Sequence, residues 1–259
     1  MYLESINIVS KAAKLKIEYL KRSILSYVTS SVLAGTYVGI GVALAFSVGA
    51  PLAAVSSIFL KTLMGVSFGI ALTLVLFAGA ELFTGNNMFM TIGLLRKEVT
   101  VVDVFKVWVF SWVGNLIGSL ILAYLVVASG ALSGAADFIE KVAGAKMTMP
   151  AMQLFLRGVL CNWLVCLALW TSSRTKSDAT KCILIFWCLF AFIACGYEHS
   201  IANMTLLSMS LFAPHGVVIS WLGFFRNMFY VTMGNIVGGS FFVGALYCIA
   251  TYKEGHKSV

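Results

Sequence analysis

The sequence predicts an all-α integral membrane protein with six membrane-spanning helices, arranged as two inverted three-helix repeats whose second and fifth helices are broken. Three observations lead to this fold class. The composition leaves too few charges for a water-soluble surface, and six long intervals carry no charged residue. In each half of the chain, one of these intervals also ends at a glutamate that is soon followed by an asparagine-methionine pair.

The composition excludes several classes of protein. Of 259 residues, 60% are hydrophobic and 11% are charged, whereas a soluble domain carries about 25% charged residues. The length fits about six helices of roughly 20 residues with their connections. A disordered chain, a collagen-like chain and a disulfide-stapled secreted domain each need a composition that this sequence lacks. The net charge of +8 is therefore attributed to orientation in a membrane, and no nucleic-acid partner is expected.

The charge-free intervals locate the helices, because a charge at the centre of a bilayer helix is energetically costly. We predict membrane helices near residues 27–49, 57–80, 104–128, 152–173, 182–197 and 227–250. Two further apolar stretches, Leu82 to Leu95 and Ile201 to Phe212, are too short to span alone and directly follow the second and fifth helices. They are predicted as the second halves of broken helices, which membranes tolerate where the break lines protein or a water-filled cavity.

Basic residues predict the orientation, since cytoplasmic loops carry an excess of lysine and arginine. One side holds the lysine-rich N-terminal segment, the loops after the second and fourth helices and the tail, whereas the other side holds only Lys61, Lys141, Lys146 and Arg226. Both termini of this multi-pass inner-membrane protein are therefore expected in the cytoplasm. Residues 1–25 are predicted as an amphipathic helix on the inner membrane surface, because lysines alternate with the apolar residues Leu3, Ile6, Ile17 and Leu20.

The chain is predicted to be one transmembrane domain, with a first repeat over 27–128, a second over 152–250 and a tail over 251–259. The third helix contains Gly114-Asn115-Leu116-Ile117-Gly118, and the sixth contains Gly234-Asn235-Ile236-Val237-Gly238. We expect these glycines to allow close helix contact. Because each repeat has an odd number of spans, the two repeats must lie in opposite orientations in the membrane.

The breaks predict the chemistry of a pore. Half-helices that resume near Asn87 and Asn203 would point their positive ends toward the bilayer centre, which favours an anion. The two asparagines either cap these helices or line the pore. Glu81 and Glu198 are either a proton or cation site or acceptors for backbone donors freed at the breaks. The second interpretation is preferred, because an exposed negative charge would repel the anion.

Three stretches of this sequence resemble a known family: Leu82-Phe83-Thr84, Gly196-Tyr197-Glu198-His199-Ser200-Ile201-Ala202-Asn203-Met204, and Gly234-Asn235-Ile236-Val237-Gly238-Gly239. They are similar to signatures of the formate-nitrite transporter family, and the resemblance covers essentially the whole chain. Within the family, the overall likeness and the variant Thr84-Gly85-Asn86-Asn87 resemble the hydrosulfide channel branch.

This resemblance implies an aquaporin-like protomer, a homopentamer with one pore per protomer, and transport of small inorganic or carboxylate anions across the lipid bilayer. His199 and Thr84 match the central pore pair of the family. The apolar constrictions are matched by Phe68, Leu72, Leu82, Phe83 and Phe192. Lys16 and Lys146 match basic vestibule residues, although Lys141 lies close enough to take the role of Lys146. Asn162 and Asn235 match polar positions that line the pore.

The expected function is a passive channel for hydrosulfide, with formate, nitrite and chloride as further candidates. Vestibule lysines would concentrate the anion, apolar rings would select it, and His199 with Thr84 would replace its lost hydration or share a proton with it. A proton-coupled symporter or exporter of formate or nitrite is the alternative. A membrane enzyme with a metal at Glu81, Glu198 and His199 is disfavoured, because such sites need more convergent ligands. No catalytic residue, metal or other cofactor is predicted.

Overall fold

The computed structural model describes residues 2–252, with the side chain of Tyr252 left out, and over this range it contains helices but no strand. The first half of the chain forms α1 (Leu3–Arg22), α2 (Ile24–Ala54), α3 (Leu60–Phe68), α4 (Ile70–Phe77), α5 (Phe83–Leu95) and α6 (Val101–Ala128). The second half forms α7 (Ala136–Thr148), α8 (Ala151–Ser172), α9 (Asp178–Ala194), α10 (Ser200–Phe212), α11 (Trp221–Gly239), a π-helical turn (Ser240–Ala245) and α12 (Leu246–Tyr252).

The predicted spans correspond to helices in the structure. Five stretches are long and apolar enough to cross a membrane: Ile24–Ala54, Leu60–Phe77, Val101–Ala128, Ala151–Ser172 and Trp221–Thr251. The remaining predicted span is α9, which has 17 residues. The second predicted span contains a discontinuity at Gly69, where α3 ends and α4 begins.

Both predicted breaks are present. The chain leaves helical geometry after α4 and again after α9, and it resumes at Phe83 and Ser200. These bounds agree with the predicted second halves, Leu82 to Leu95 and Ile201 to Phe212. Asn87 and Asn203, near which the half-helices were also expected to resume, lie inside α5 and α10 rather than at their first residues. In each break a glycine two residues before the glutamate has a positive φ, +76° at Gly79 and +71° at Gly196. That conformation ends the preceding helix and is accessible to glycine without a steric penalty.

Glycine contacts join the long helices, as the repeated glycine motifs predicted. A side chain added at Gly118 would collide with the backbone carbonyl of Val32 in α2. In the second half, a side chain added at Gly234 would collide with the carbonyl of Phe155 in α8. The pairs α2 with α6 and α8 with α11 therefore approach at backbone distance, which small residues make possible in membrane helices.

The N-terminal helix packs one apolar face against the protein. Ile6, Ile17 and Leu20 are buried, and α1 packs mainly against α5. Leu3 is 40% exposed. The amphipathic pattern was correctly identified, but its apolar face is covered by the chain itself, so the expected contact with lipid is not required to bury it.

Two features of the second half differ from the sequence prediction. The short helix α7 was not predicted, and it carries Lys146 next to the second break. The sixth span begins at Trp221 rather than near residue 227, and the π-helical turn interrupts it. Of the predicted tail over 251–259, residues 251 and 252 continue α12, and residues 253–259 lie outside the described part of the chain.

Candidate functional site

The centre of the site lies where the two half-helices begin. Thr84, the second residue of α5, contacts His199, the residue that precedes α10, with 3.1 Å between Oγ1 and Nε2. Thr84 is fully buried and His199 is 4% exposed. The N-termini of both helices, where the positive ends of their dipoles lie, therefore meet at this pair of side chains.

The backbone of α10 fixes the tautomer of His199. The backbone N–H of Ala202 donates to Nδ1 at 3.1 Å, so the imidazole acts as the N-cap of the helix. A nitrogen that accepts this bond carries no proton, and in the neutral ring the proton is therefore on Nε2. Nε2 then donates to Thr84 Oγ1. The ring of Phe192 stacks on the imidazole with 5.9 Å between centroids.

A cavity of about 280 Å³ extends on the α10 side of this pair. We call it the Lys146 cavity, and its wall includes Phe68, Phe192, His199, Asn203, Lys61 and Lys146. The rings of Phe68 and Phe192 meet edge to face, with centroids 5.6 Å apart. Lys141 lies in the wall of a separate surface groove beside α7. The structure therefore brings Lys146, and not Lys141, to the path that leads to His199.

A second cavity, of about 390 Å³, lies on the α5 side. We call it the Lys16 cavity, and its wall includes Lys16, Glu81, Leu82, Gly85, Asn86 and Phe89. Leu82 therefore lines the Lys16 cavity, two residues before Thr84 in the chain. Leu72 is buried and belongs to the wall of neither cavity. Phe83 lines a third, entirely apolar cavity between α6 and α11, so its predicted place in a constriction is not supported by the cavity walls.

Glu81 organises the first break through side chains. Its carboxylate accepts two bonds of 2.8 Å from Lys16 Nζ and bonds of 3.1 Å from the Tyr27 hydroxyl and from Asn86 Nδ2. Among residues 2–252 the donors to this carboxylate are side chains, and the Phe83 N–H at the break donates to Asn115 instead. Glu81 therefore supports the break as a hydrogen-bond acceptor, which was the preferred interpretation, but the groups that donate to it belong to three side chains.

Glu198 organises the second break in the same way. Its carboxylate accepts a bond of 2.6 Å from Lys146 Nζ and another of 2.6 Å from Asn203 Nδ2. Asn227 Oδ1 accepts the other N–H of Asn203, at 3.0 Å. Asn203 therefore supports the break through the glutamate, and not as a helix cap.

The freed backbone groups are bound by two equivalent asparagines. Asn115 Oδ1 accepts from the Phe83 N–H, and its Nδ2 donates to the carbonyls of Ser31 and Glu81. Asn235 Oδ1 accepts from the Ser200 N–H, and its Nδ2 donates to the carbonyls of Gly158 and Glu198. Both asparagines are fully buried. Asn235 was predicted to line the pore, and the structure instead gives its side chain only backbone partners.

Asn162 also holds backbone. Its Nδ2 lies 3.1 Å from the Thr84 carbonyl, 2.7 Å from the Asn235 carbonyl and 3.0 Å from Asn87 Oδ1. The residue is fully buried and connects the two halves of the site. Asn87 accepts this bond but does not contact Glu81, whereas Asn86 does. The predicted support of the first break by Asn87 therefore belongs to Asn86.

Sequence reasoning missed five residues that build the two breaks: Tyr27, Asn86, Asn115, Arg157 and Asn227. Arg157 donates to the Gly196 carbonyl at 3.4 Å, and its own carbonyl accepts from the Glu198 N–H. Two signals could have identified the asparagines. Asn86 and Asn203 each follow their glutamate by five residues, and Asn115 occupies the same place in its glycine motif as Asn235.

Comparisons with known proteins agree with this architecture. A family model described as formate/nitrite transporter matches residues 4–249. The nitrite transporter NirC of Escherichia coli (strain K12) is 46% identical over 231 residues, which cover 88% of this chain and 85% of NirC. A solved structure described as an FNT family ion channel has a TM-score of 0.90 and 41% identity, and the match covers 95% of this chain and 98% of that one. A pentameric formate channel with formate bound has a TM-score of 0.79 and 26% identity, with 90% and 99% covered.

Proposed function

Because the chain belongs to the formate/nitrite transporter family, we propose that it is a passive membrane channel for small monovalent anions. Nitrite and formate are the first candidates, since the compared relatives are a nitrite transporter and a formate channel. Hydrosulfide is the third candidate, and it rests on the sequence resemblance to that branch alone. All three are conjugate bases of weak acids, and each is small enough for a narrow apolar path.

The observation that carries the proposal is the contact of 3.1 Å between Thr84 and His199. Two donors, the Nε2–H and the threonine hydroxyl, meet at the positive ends of two helices, with apolar side chains on either side. An anion that leaves water for such a site loses its hydration shell, which is costly unless fixed donors replace it. The imidazole and the hydroxyl supply such donors, and neither carries a negative charge that would repel the ion.

The tautomer of His199 favours donation over proton transfer. A second proton would have to reside on Nδ1, where the Ala202 N–H already donates, so forming the imidazolium would break the helix cap. The anion would then receive a hydrogen bond and keep its own charge. The sequence hypothesis of a shared proton is accordingly replaced by a channel in which His199 is a neutral donor.

The assembly is proposed as a homopentamer with one pore in each protomer, in line with the pentameric formate channel that this chain resembles. Each protomer would be one transmembrane domain of the inner membrane with both termini in the cytoplasm. The Lys16 cavity would then open to the cytoplasm, and the Lys146 cavity would open to the outside.

Anion flux into proteoliposomes tests the function. Purified protein is reconstituted, and uptake of nitrite, formate, hydrosulfide, chloride and sulfate is measured with and without an imposed proton gradient. We expect monovalent weak-acid anions to equilibrate passively and sulfate to be excluded. Uphill accumulation driven by the proton gradient would instead establish the proton-coupled symporter.

His199→Asn tests the role of the imidazole. Asparagine is a good N-cap, so the variant keeps the cap of α10 but loses the donor that faces Thr84. Loss of one hydrogen bond to an ion is worth about 1.5–3 kcal/mol, so flux should fall about tenfold to a hundredfold. The pH dependence of the residual flux should match that of wild type. If the substitution abolishes the pH dependence, His199 shares its proton with the anion.

A further inference from the structure

The two lysines that the sequence assigned to the vestibules both have their charge compensated. Lys16 forms an ion pair of 2.8 Å with Glu81, and Lys146 forms one of 2.6 Å with Glu198. The side chains of both lysines are 17% exposed. The opposite charges of each pair nearly cancel for an anion in the adjacent cavity. Neither lysine therefore explains by itself how an anion is attracted to the pore.

Lys61 is a different kind of cation. It is exposed and lies in the wall of the Lys146 cavity, which also includes His199. Among residues 2–252 it takes part in none of the ion pairs. Its charge is therefore uncompensated, and it lies on the same continuous cavity that ends at the central donors.

The local structure gives no stabilising reason for a cation at this position. Lys61 is the second residue of α3, in the first turn of that helix. The positive end of the helix dipole lies there and favours acidic residues, so a lysine in this turn is mildly unfavourable for the helix. The same arrangement adds two positive contributions, the ammonium and the helix terminus, at the rim of one cavity.

We propose that Lys61 draws anions into the Lys146 cavity and thereby sets the rate at which they reach His199 from that side. The inference rests on the proposed function as an anion channel. Lys146 then holds the second break in place through Glu198, and Lys61 performs the electrostatic capture.

The two cavities differ in this respect. The wall of the Lys16 cavity contains Lys16 and Glu81, which neutralise each other, and no other charged residue. The Lys146 cavity keeps one uncompensated positive charge. We therefore expect anions to enter more readily from the Lys146 side, and a pentamer in a symmetric solution to rectify at low salt.

The size of the effect follows from simple electrostatics. At an effective dielectric constant of about 40, a unit charge changes the local anion concentration by about fivefold at separations on the order of 10 Å, which is the scale of a cavity of this size. The Debye length is about 30 Å in 10 mM salt and about 3 Å in 1 M salt. The contribution of Lys61 should thus be nearly complete at 10 mM and absent at 1 M.

The experiment records nitrite currents of single pentamers in planar bilayers, in 10 mM and 1 M sodium nitrite. The variants are Lys61→Gln, Lys61→Glu and Lys61→Arg, and Lys141→Gln is the matched control. Lys141 is also an exposed lysine, but it lines the separate groove. Pentamer yield and thermal stability of each variant are measured in parallel.

At 10 mM, Lys61→Gln should lower the current about threefold to fivefold for anions that enter from one side, and Lys61→Glu should lower it further. The currents of Lys61→Arg and Lys141→Gln should equal the wild-type current. At 1 M, the currents of all variants should equal the wild-type current. Equal effects of the two glutamine variants, equal loss in both directions, or a loss that persists at 1 M would each overturn the proposal. A wild-type pentamer that conducts no nitrite, formate or hydrosulfide would instead refute the proposed function.

Discussion

The two breaks of the chain share one scaffold. In each, a glycine with positive φ precedes a glutamate, the glutamate binds a lysine and an asparagine five residues later, and a buried asparagine from a distant helix holds the backbone on both sides. Glu81 with Asn115 serves the first break, and Glu198 with Asn235 serves the second. The shared parts bind the chain to itself, so they build the break rather than the transport site.

The breaks differ at the two positions that supply the contact between Thr84 and His199. Leu82 precedes α5 and makes no side-chain cap, whereas His199, at the equivalent position before α10, caps its helix. Two residues further along the chain, the first break has Thr84 and the second has Ile201. The central pair therefore joins positions that the repeat does not relate to each other. The proposed transport site thus lies where the two halves differ in sequence.

The largest expected effect tests whether the scaffold is equivalent in both halves. Asn115→Leu and Asn235→Leu each remove three hydrogen bonds to backbone groups, and a backbone group left without a partner at the break costs on the order of 1–3 kcal/mol. We expect both variants to lower the unfolding temperature of the pentamer strongly and by similar amounts. Asn87→Leu is the control, because Asn87 accepts one hydrogen bond and its Nδ2 has no partner within residues 2–252. A control as damaging as the two test variants would contradict the assigned roles.

The next effect should separate the two halves. Glu198→Gln removes the partner of a lysine at a carboxylate that is 2% exposed, and breaking such a buried pair costs about 3–5 kcal/mol. Glu81→Gln should cost less, because the side chain of Glu81 is 13% exposed and keeps Tyr27 and Asn86 nearby. Thermal unfolding in detergent measures both, and Asp178→Asn, which removes an exposed ion pair with Lys181, should be nearly silent. If both substitutions lower the unfolding temperature equally, the different burial of Glu81 and Glu198 does not make the two breaks differ in stability.

The smallest expected effect concerns the positions where the halves diverge. Thr84→Val removes the hydroxyl with little change of shape, and a neutral hydrogen bond is worth about 0.5–1.5 kcal/mol, so nitrite flux should fall about twofold to tenfold. Ile201→Val, at the equivalent position of the second break, removes one methyl group from a buried side chain and should leave the flux within twofold of wild type. If Thr84→Val conducts as wild type, the hydroxyl takes no part in anion transfer.

Much of the fold could be predicted because the relevant signals are local. Glu81 and Glu198 interrupt apolar stretches, which marked the breaks, and the repeated glycines marked the helices that pack closely. The apolar stretches Leu82 to Leu95 and Ile201 to Phe212 placed the half-helices correctly. The two asparagine-methionine pairs were misleading, because they lie at different distances from their glutamates. Counted from the glutamate, the equivalent of Asn203 is Asn86 and not Asn87. Hydropathy alone could not supply this register.

The partners of the buried polar residues could not be predicted in the same way. Asn115 and Asn235 lie in apolar helices, and the sequence does not say which carbonyls or amides their side chains reach. The pairing of Thr84 with His199 came from the family resemblance, and the sequence did not show that Lys16 and Lys146 are paired with glutamates while Lys61 lines the Lys146 cavity. In each case the missing information was a distance between residues far apart in the chain.

By itself, the sequence determined that the chain crosses a membrane, where its helices run and where two of them break. These properties follow from the cost of placing charge in hydrocarbon, which depends on the local composition. Only the tertiary structure decided which side chains satisfy the broken backbone, which of the two lysines in the Lys146 cavity is paired with a glutamate, and which nitrogen of His199 faces Thr84. Those outcomes depend on contacts such as the one between Thr84 and His199, which lie 115 residues apart in the chain, and hydrogen bonds form only when such residues come within about 3 Å of each other.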